Sequence, residues 1–331
     1  MNGPGIPVPQ YLSTAAPLPP GALTFGQLLD RIFSLMRSNF RLFVGIAAVP
    51  VAGMAAFYAL IIAIVVAVIR PWQHPEPAEI LPMLGRMFAA VFVVYLLLMV
   101  IYALYEAAGS YAALQANAGV RVTFGQSWAM AFRKAGRYIW LAILRTLIVG
   151  LPILVVAGLI AGTVASWIVH AKGNPDPIVI LRVFPLFALL YLGSAVYAIL
   201  ILLRIVLAVP ACVAENRTAW ASICRSNQLT RGARGRIFLL GLLLYAITYV
   251  AMMAVELVVY LFVILALAVG AVAHLTIDPW GFVGIGILVV IFLCGLFAVM
   301  ASIAALYCTA IVAVYHDQRL RNESIAAAPA V

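Results

Sequence analysis

Six apolar runs separated by short polar stretches set the pattern of this chain, at about 42–69, 87–113, 138–168, 183–213, 237–273 and 282–314. Each exceeds the ~20 residues that a helix needs to cross a ~30 Å hydrocarbon core. None shows the alternating period of a membrane-barrel strand. A backbone in lipid must satisfy its hydrogen bonds internally, so the pattern predicts six transmembrane helices. Composition sharpens this reading. The 331 residues are 66% hydrophobic and 9% charged, against about 25% charged in soluble domains. The expected fold is an all-α integral membrane protein whose length is taken up by its spans.

The polar stretches carry a sidedness. Fourteen of the twenty Lys and Arg residues fall before the first run, in the second-to-third and fourth-to-fifth connections, and after the last run. They include Arg31, Arg37, Arg41, Arg121, Arg133, Arg137, Arg231 and Arg236. The opposite side holds Arg70, Arg86, Lys172 and Arg182. Under the positive-inside rule both termini of this multi-pass protein are expected in the cytoplasm. The formal net charge of +10 then lies along the cytoplasmic surface, where anionic lipid headgroups are the expected partners. A protein partner within the membrane is a second expectation. Nucleic acid is not one, because the charge is split into short groups beside the membrane.

The pattern also recurs about every hundred residues. Thr24-Phe25-Gly26-Gln27 returns as Thr123-Phe124-Gly125-Gln126, and each reads as a Thr-x-x-Gln capping box opening a helix. Behind the first, Leu28, Leu29, Ile32, Phe33 and Met36 recur at helical spacing, with Asp30, Arg31 and Arg37 around the other side. Behind the second come Trp128, Ala131 and Phe132 against Arg133 and Lys134. A degraded third copy, Thr218–Leu229, lacks the box. These segments predict cytoplasmic interfacial helices with the apolar face in the acyl boundary and the basic face among headgroups. Each precedes two runs, so three parallel repeats are expected, at about 24–118, 119–215 and 216–323, within one domain spanning 24–323. Trp72, Trp167 and Trp280 mark the outer interface, and Trp128, Trp140 and Trp220 the cytoplasmic one. The proline-rich residues 1–23 and the segment 324–331 read as disordered cytoplasmic tails.

Small residues predict close helix contacts: Gly158, Gly162 and Ser166 on the third run, and Gly109, Ala113 and Ala116 on the second. Pro50, Pro152 and Pro185 should kink their runs, and Pro210 should end the fourth. The four cysteines include no CxxC pair and give no disulfide or zinc signal.

Four ionisable residues fall inside the runs: Glu106, Arg145, Arg204 and Glu256. Charge in lipid is costly and calls for a partner or water. Helical rise places Glu106, Arg145 and Arg204 in the cytoplasmic half, where they form a candidate polar cluster able to hold an anionic headgroup or carboxylate. Glu256 falls in the outer half. His74, His170 and His274 lie at the outer ends of odd runs, yet no spacing fixes them as a metal site. No phosphate loop, nucleophile elbow or paired catalytic carboxylates occur. The expectation is no catalytic site, no metal and no cofactor.

Three segments share a further pattern: Pro210-Ala211-Cys212-Val213-Ala214-Glu215-Asn216, then Arg225-Ser226-Asn227-Gln228-Leu229-Thr230-Arg231-Gly232, then Tyr315-His316-Asp317-Gln318-Arg319-Leu320-Arg321-Asn322-Glu323. With the opening Leu23–Arg41, they resemble the bacterial six-span proteins named after the membrane domain of glycerophosphoryl diester phosphodiesterase. The resemblance implies a module of the bacterial inner membrane rather than an esterase. Read directly, Glu215, Arg225, Asp317, Arg319 and Arg321 form a candidate cytoplasmic platform. Glu215 would receive Arg225 or Arg319, and Asp317, Arg319, Arg321 and Glu323 would tie the tail to the Thr218–Leu229 helix. Two functions follow as expectations. One is a lipid-interacting or scaffold module, and the other a small-molecule or lipid transporter or channel with a polar cavity in its cytoplasmic half.

Overall fold

A computed structural model describes residues 23–69, 77–170, 177–273 and 279–327, all of it helix and connecting turn. The elements are α1 (Phe25–Ser38), α2 (Phe40–Ile69), α3 (Pro77–Asn117), α4 (Phe124–Arg133), α5 (Ala135–His170), α6 (Pro177–Ile205), α7 (Ala208–Ala214), α8 (Ala219–Leu229), α9 (Arg234–Ala273) and α10 (Pro279–Ala327). Six of them (α2, α3, α5, α6 running on into α7, α9 and α10) are long and apolar enough to cross a membrane. The protein is an all-α, multi-pass membrane protein. α10 has 49 residues and so spans ~74 Å. It projects well beyond the hydrocarbon core and stays helical through Ala327, past the expected start of the tail at 324.

Both predicted capping boxes form. The Thr24 hydroxyl accepts the Gln27 N–H while the Gln27 amide oxygen accepts the Thr24 N–H, and Thr123 and Gln126 do the same. Thr218 opens α8 without a side-chain cap. At the end of α3, Gly119 takes φ +82°. The Val120 N–H then reaches the Gln115 carbonyl at 2.9 Å and the Gly119 N–H reaches Ala116 at 3.1 Å. This is a Schellman stop, which a Cβ would disfavour.

Along the chain α2, α3, α5, α6, α9 and α10 each touch the next, and α10 returns to α2. α3 also touches α10 across the ring, and α7 packs against both. The core lies at the basic end, where the spans begin or finish. Phe43 and Ile46 of α2, Ala108, Ala112 and Ala113 of α3, Leu141 of α5, Cys212 of α7 and Val312 of α10 form one buried cluster. Leu28 and Ile32 of α1, Leu229 of α8, Ile237 of α9 and Tyr315 of α10 form a second. Alanine allows this approach, since packing between helices in lipid relies on close contact rather than water exclusion. At Gly109 a Cβ would sit 2.5 Å from the Cys308 Sγ, so the small residue there is a requirement of the α3–α10 contact. Toward the other end the large apolar side chains face outward: Leu154 and Leu159 on α5, and Val250, Leu257 and Leu261 on α9.

Several expectations need correction. The apolar faces of the short helices are divided: Phe25 and Phe33 of α1, Phe124 and Phe132 of α4, and Trp220 of α8 stay exposed, whereas the rest turn inward. Leu28, Ile32, Leu35 and Met36 of α1, Trp128 and Ala131 of α4, and Ile223 and Leu229 of α8 are buried in the protein. Amphipathic spacing specifies a buried stripe, and here the neighbouring spans cover it. Trp128 therefore belongs to the core rather than to an interfacial belt, and its Nε1–H has no hydrogen-bond acceptor among the described residues. Trp140 and Trp220 stay exposed. Gly158 and Gly162 are exposed, and a Cβ on either would meet nothing within 4 Å. These two glycines of the α5 ladder therefore make no close helix contact among the described residues. Trp72, His74 and His274, and the side chains of Trp167, His170 and Trp280, lie outside the described residues. α2, α5 and α6 continue through Pro50, Pro152 and Pro185.

The fourth apolar run is not one helix. α6 stops at Ile205 and α7 starts at Ala208, with Pro210 in the first turn of α7 rather than at the end of a span. Proline lacks the N–H that would reach the carbonyl four residues back and clashes with it, here at Val206. A break at this depth leaves backbone groups in need of partners. Ser226 of α8 supplies them: its hydroxyl donates to the Arg204 carbonyl at 2.8 Å and accepts the Leu207 N–H at 3.1 Å. Ser226 is fully buried, so Ser226→Ala strands both groups. A loss of ~1–3 kcal/mol is expected, to be read as the shift in thermal unfolding of the detergent-solubilised protein.

Candidate functional site

Two of the three intramembrane charges meet. Glu106 on α3 and Arg145 on α5 form an ion pair, Arg145 Nη1 to Glu106 Oε2 at 2.5 Å. Their side chains retain 20% and 22% exposure, so neither is sealed off. The pair closes the basic end of a cleft of about 570 Å³ between α2, α3 and α5, walled by Met54, Phe57, Leu98, Val149 and Gly150. On its other side lies a cavity of about 40 Å³ toward Ser110 and Cys308. Arg204 does not join them. Its side chain is exposed and makes no ion pair among the described residues, and only its carbonyl is engaged, by Ser226. Glu256 is likewise exposed without an ion pair among the described residues.

The candidate platform resolves into two separate nodes. At the first, Glu215 follows the end of α7 and accepts Arg225 Nε of α8 at 3.0 Å, Arg217 Nε at 2.6 Å and the Tyr315 hydroxyl of α10 at 3.0 Å. Burial pushes the Glu215 carboxyl up. The hydrogen bonds from Arg225 and Tyr315 and the charges of Arg225 and Arg217 outweigh burial and hold it below the ordinary glutamate range. A carboxyl whose folded value is depressed stabilises the fold fully above its unfolded value, near about 4.3. That contribution is lost as the pH falls through the lower folded value. Comparison of Glu215→Gln with the parent should therefore show a stability gap at neutral pH that closes below about pH 4. A gap that persists into acid contradicts the assignment.

At the second node Asp317 is buried on α10. Its Oδ2 accepts Arg236 Nη1 of α9 at 3.0 Å and Arg321 Nε at 3.0 Å, and its Oδ1 accepts the Leu23 N–H at 2.9 Å. Arg236 and Arg321 both donate to the Leu23 carbonyl, at 2.7 and 2.6 Å. Asp317 thus fastens the start of the described chain to α9 and α10, rather than tying the tail to α8. Arg319 does not reach Glu215. It pairs with Glu323 one turn on, and both side chains are about half exposed.

Sequence reasoning missed three members of this end. Asn216 sits at φ +52°, and its Oδ1 accepts both Lys134 Nζ and Arg137 Nη1 at 2.7 Å. Asparagine tolerates this left-handed geometry better than most residues. Arg31 holds the end of α3 through the Asn117 side chain and carbonyl, at 3.0 and 3.2 Å. The third is Ser226. The available signal was an asparagine just past a short helix; nothing in the pattern pointed to Arg31 or Ser226. Chemically, the nodes are structural ion pairs, whereas the Glu106–Arg145 cleft is a cavity with polar groups at one end. No family model, curated protein or solved structure matches the chain.

Proposed function

We propose that this protein is a lipid-engaging scaffold module of a bacterial inner membrane, with both termini and the packed basic end on the cytoplasmic side. The observation that carries the reading is the uncompensated charge of that end. Arg37, Arg41, Arg121, Arg133 and Arg231 are exposed and make no ion pair among the described residues. Among them stand the exposed aromatic side chains of Phe33, Phe132, Trp140 and Trp220. Cations interleaved with aromatic rings suit the anionic headgroup layer. The resemblance to the glycerophosphoryl diester phosphodiesterase membrane domain family belongs to the same proposal, as a membrane module without esterase chemistry. A transporter or channel is the second reading, and it draws on the Glu106–Arg145 cleft. The contact of α3 with α10 across the ring and the alanine packing behind it favour the scaffold.

The test is reconstitution with lipids of defined charge. Retention of anionic phospholipid should rise with its mole fraction and fall with salt, because exposed charges are screened within a ~10 Å Debye length at 0.1 M. Replacing Arg37, Arg121 and Arg133 together by Gln should flatten both dependences. Indifference of the parent protein to lipid charge and to salt contradicts the proposal.

A further inference from the structure

Resting on the lipid-engaging reading above, we propose that the cleft between α2, α3 and α5 holds one zwitterionic phospholipid with an ammonium-bearing headgroup. Its phosphate would meet Arg145, its ammonium Glu106, and one acyl chain would lie along α3. Shape comes first. From Glu106 to Tyr95 the cleft follows α3 for eleven residues, or ~16 Å, which is about the depth of one leaflet of a ~30 Å hydrocarbon core. Its volume of about 570 Å³ lies within the range of small-molecule sites, whose walls are mostly apolar with a few placed polar groups. Met54, Tyr95 and Tyr102 on its walls are each about half exposed, inside segments that cross the membrane. The cleft therefore opens to lipid rather than to water.

Charge then selects the head. Arg145 uses one N–H on Glu106, and its other donors have no partner among the described residues. Glu106 keeps Oε1 free in the same sense. The pair is neutral as a whole but offers a donor and an acceptor side by side at the polar end of an apolar slot. A head bearing only negative charge would gain Arg145 and be repelled by Glu106; one bearing only positive charge would do the reverse. In a low-dielectric setting such a mismatch is heavily penalised. A head with both charges satisfies both partners. The polar end of the slot is the one nearer the basic end, ~16 Å along α3 from Asn117, and the chain would run away from it.

Gly150 stands on the cleft wall and a Cβ there meets nothing within 4 Å, so a side chain can be grown from it into the slot. Gly150→Trp should fill the slot. The full chain is purified in detergent, and phosphatidylethanolamine and phosphatidylglycerol are titrated in turn, with bound lipid counted by native mass spectrometry. The parent should hold one phosphatidylethanolamine that resists washing, and Gly150→Trp should weaken it by ~tenfold or more at unchanged melting temperature. Glu106→Gln leaves Arg145 uncompensated and should turn the preference toward phosphatidylglycerol by ~tenfold, a change of selectivity that a purely structural role does not produce. Unchanged retention in Gly150→Trp overturns the site. A parent that prefers phosphatidylglycerol in a salt-independent manner, or takes both lipids equally, overturns the zwitterion. If Gly150→Trp changes nothing while salt-dependent anionic-lipid retention persists, the cleft proposal falls alone. If the cleft lipid is retained and that salt dependence is missing, the surface reading falls alone.

Discussion

Asp317→Ala should unfasten residue 23 from α9 and α10 and lower stability toward the low end of ~3–5 kcal/mol, the range for removing one partner of a buried pair. The Asp317 side chain has 0% exposure, whereas Arg236 and Arg321 keep 22% and 35% and also donate to the Leu23 carbonyl, so their guanidinium groups keep a partner and can recover some hydration. The Leu23 N–H and the Gln318 side-chain amide, which also donates to Asp317, lose their acceptor as well. Thermal unfolding in detergent reads the loss, and limited proteolysis near Leu23 reads the release. Arg319→Gln is the control, because its exposed pair with Glu323 should be worth less than ~1 kcal/mol. Equal effects of the two substitutions would contradict the fastening role.

Glu106→Gln has the second large expected effect. It leaves Arg145 without its carboxylate within a membrane-spanning segment, where water is scarce and ~3–5 kcal/mol is the corresponding loss for buried pairs in soluble proteins. A double-mutant cycle separates this from general damage. Coupling of Glu106 with Arg145 should reach at least ~1 kcal/mol, and coupling with Arg204 should stay within ~0.5 kcal/mol of zero. Appreciable coupling to Arg204, or none to Arg145, would overturn the pairing.

These residues also show how far the fold could be read from the chain. A carboxylate and a guanidinium in lipid each require compensation, so Glu106 and Arg145 were legible as partners. Depth along a helix carries no azimuth, and for that reason Arg204 was grouped with them although its side chain faces outward. Helix starts were legible at Thr24 and Thr123 because a capping box is a local device with two reciprocal bonds. The gap at Val206 and Leu207 was not. Proline signals a break, but whether a helix resumes beyond it depends on Ser226, which arrives from another element. Amphipathic spacing in α1, α4 and α8 correctly marks a buried stripe, yet the same spacing serves lipid or protein as the cover. Gly158 and Gly162 permit a close helix approach without requiring one. The Glu215 and Asp317 nodes were legible as charges and not as a wiring diagram, since every carboxylate at this end has several arginines within reach along the chain.

The sidedness of the packed basic end can be measured on a residue the protein already carries. Cys224 lies exposed on α8, while Cys212 and Cys308 are buried and Cys294 is exposed within the span of α10. A membrane-impermeant maleimide applied to intact cells should leave Cys224 unmodified, and applied to inverted membrane vesicles it should modify Cys224 promptly, with Cys224→Ser abolishing the signal. Modification of Cys224 in intact cells would place the basic end outside and contradict the account.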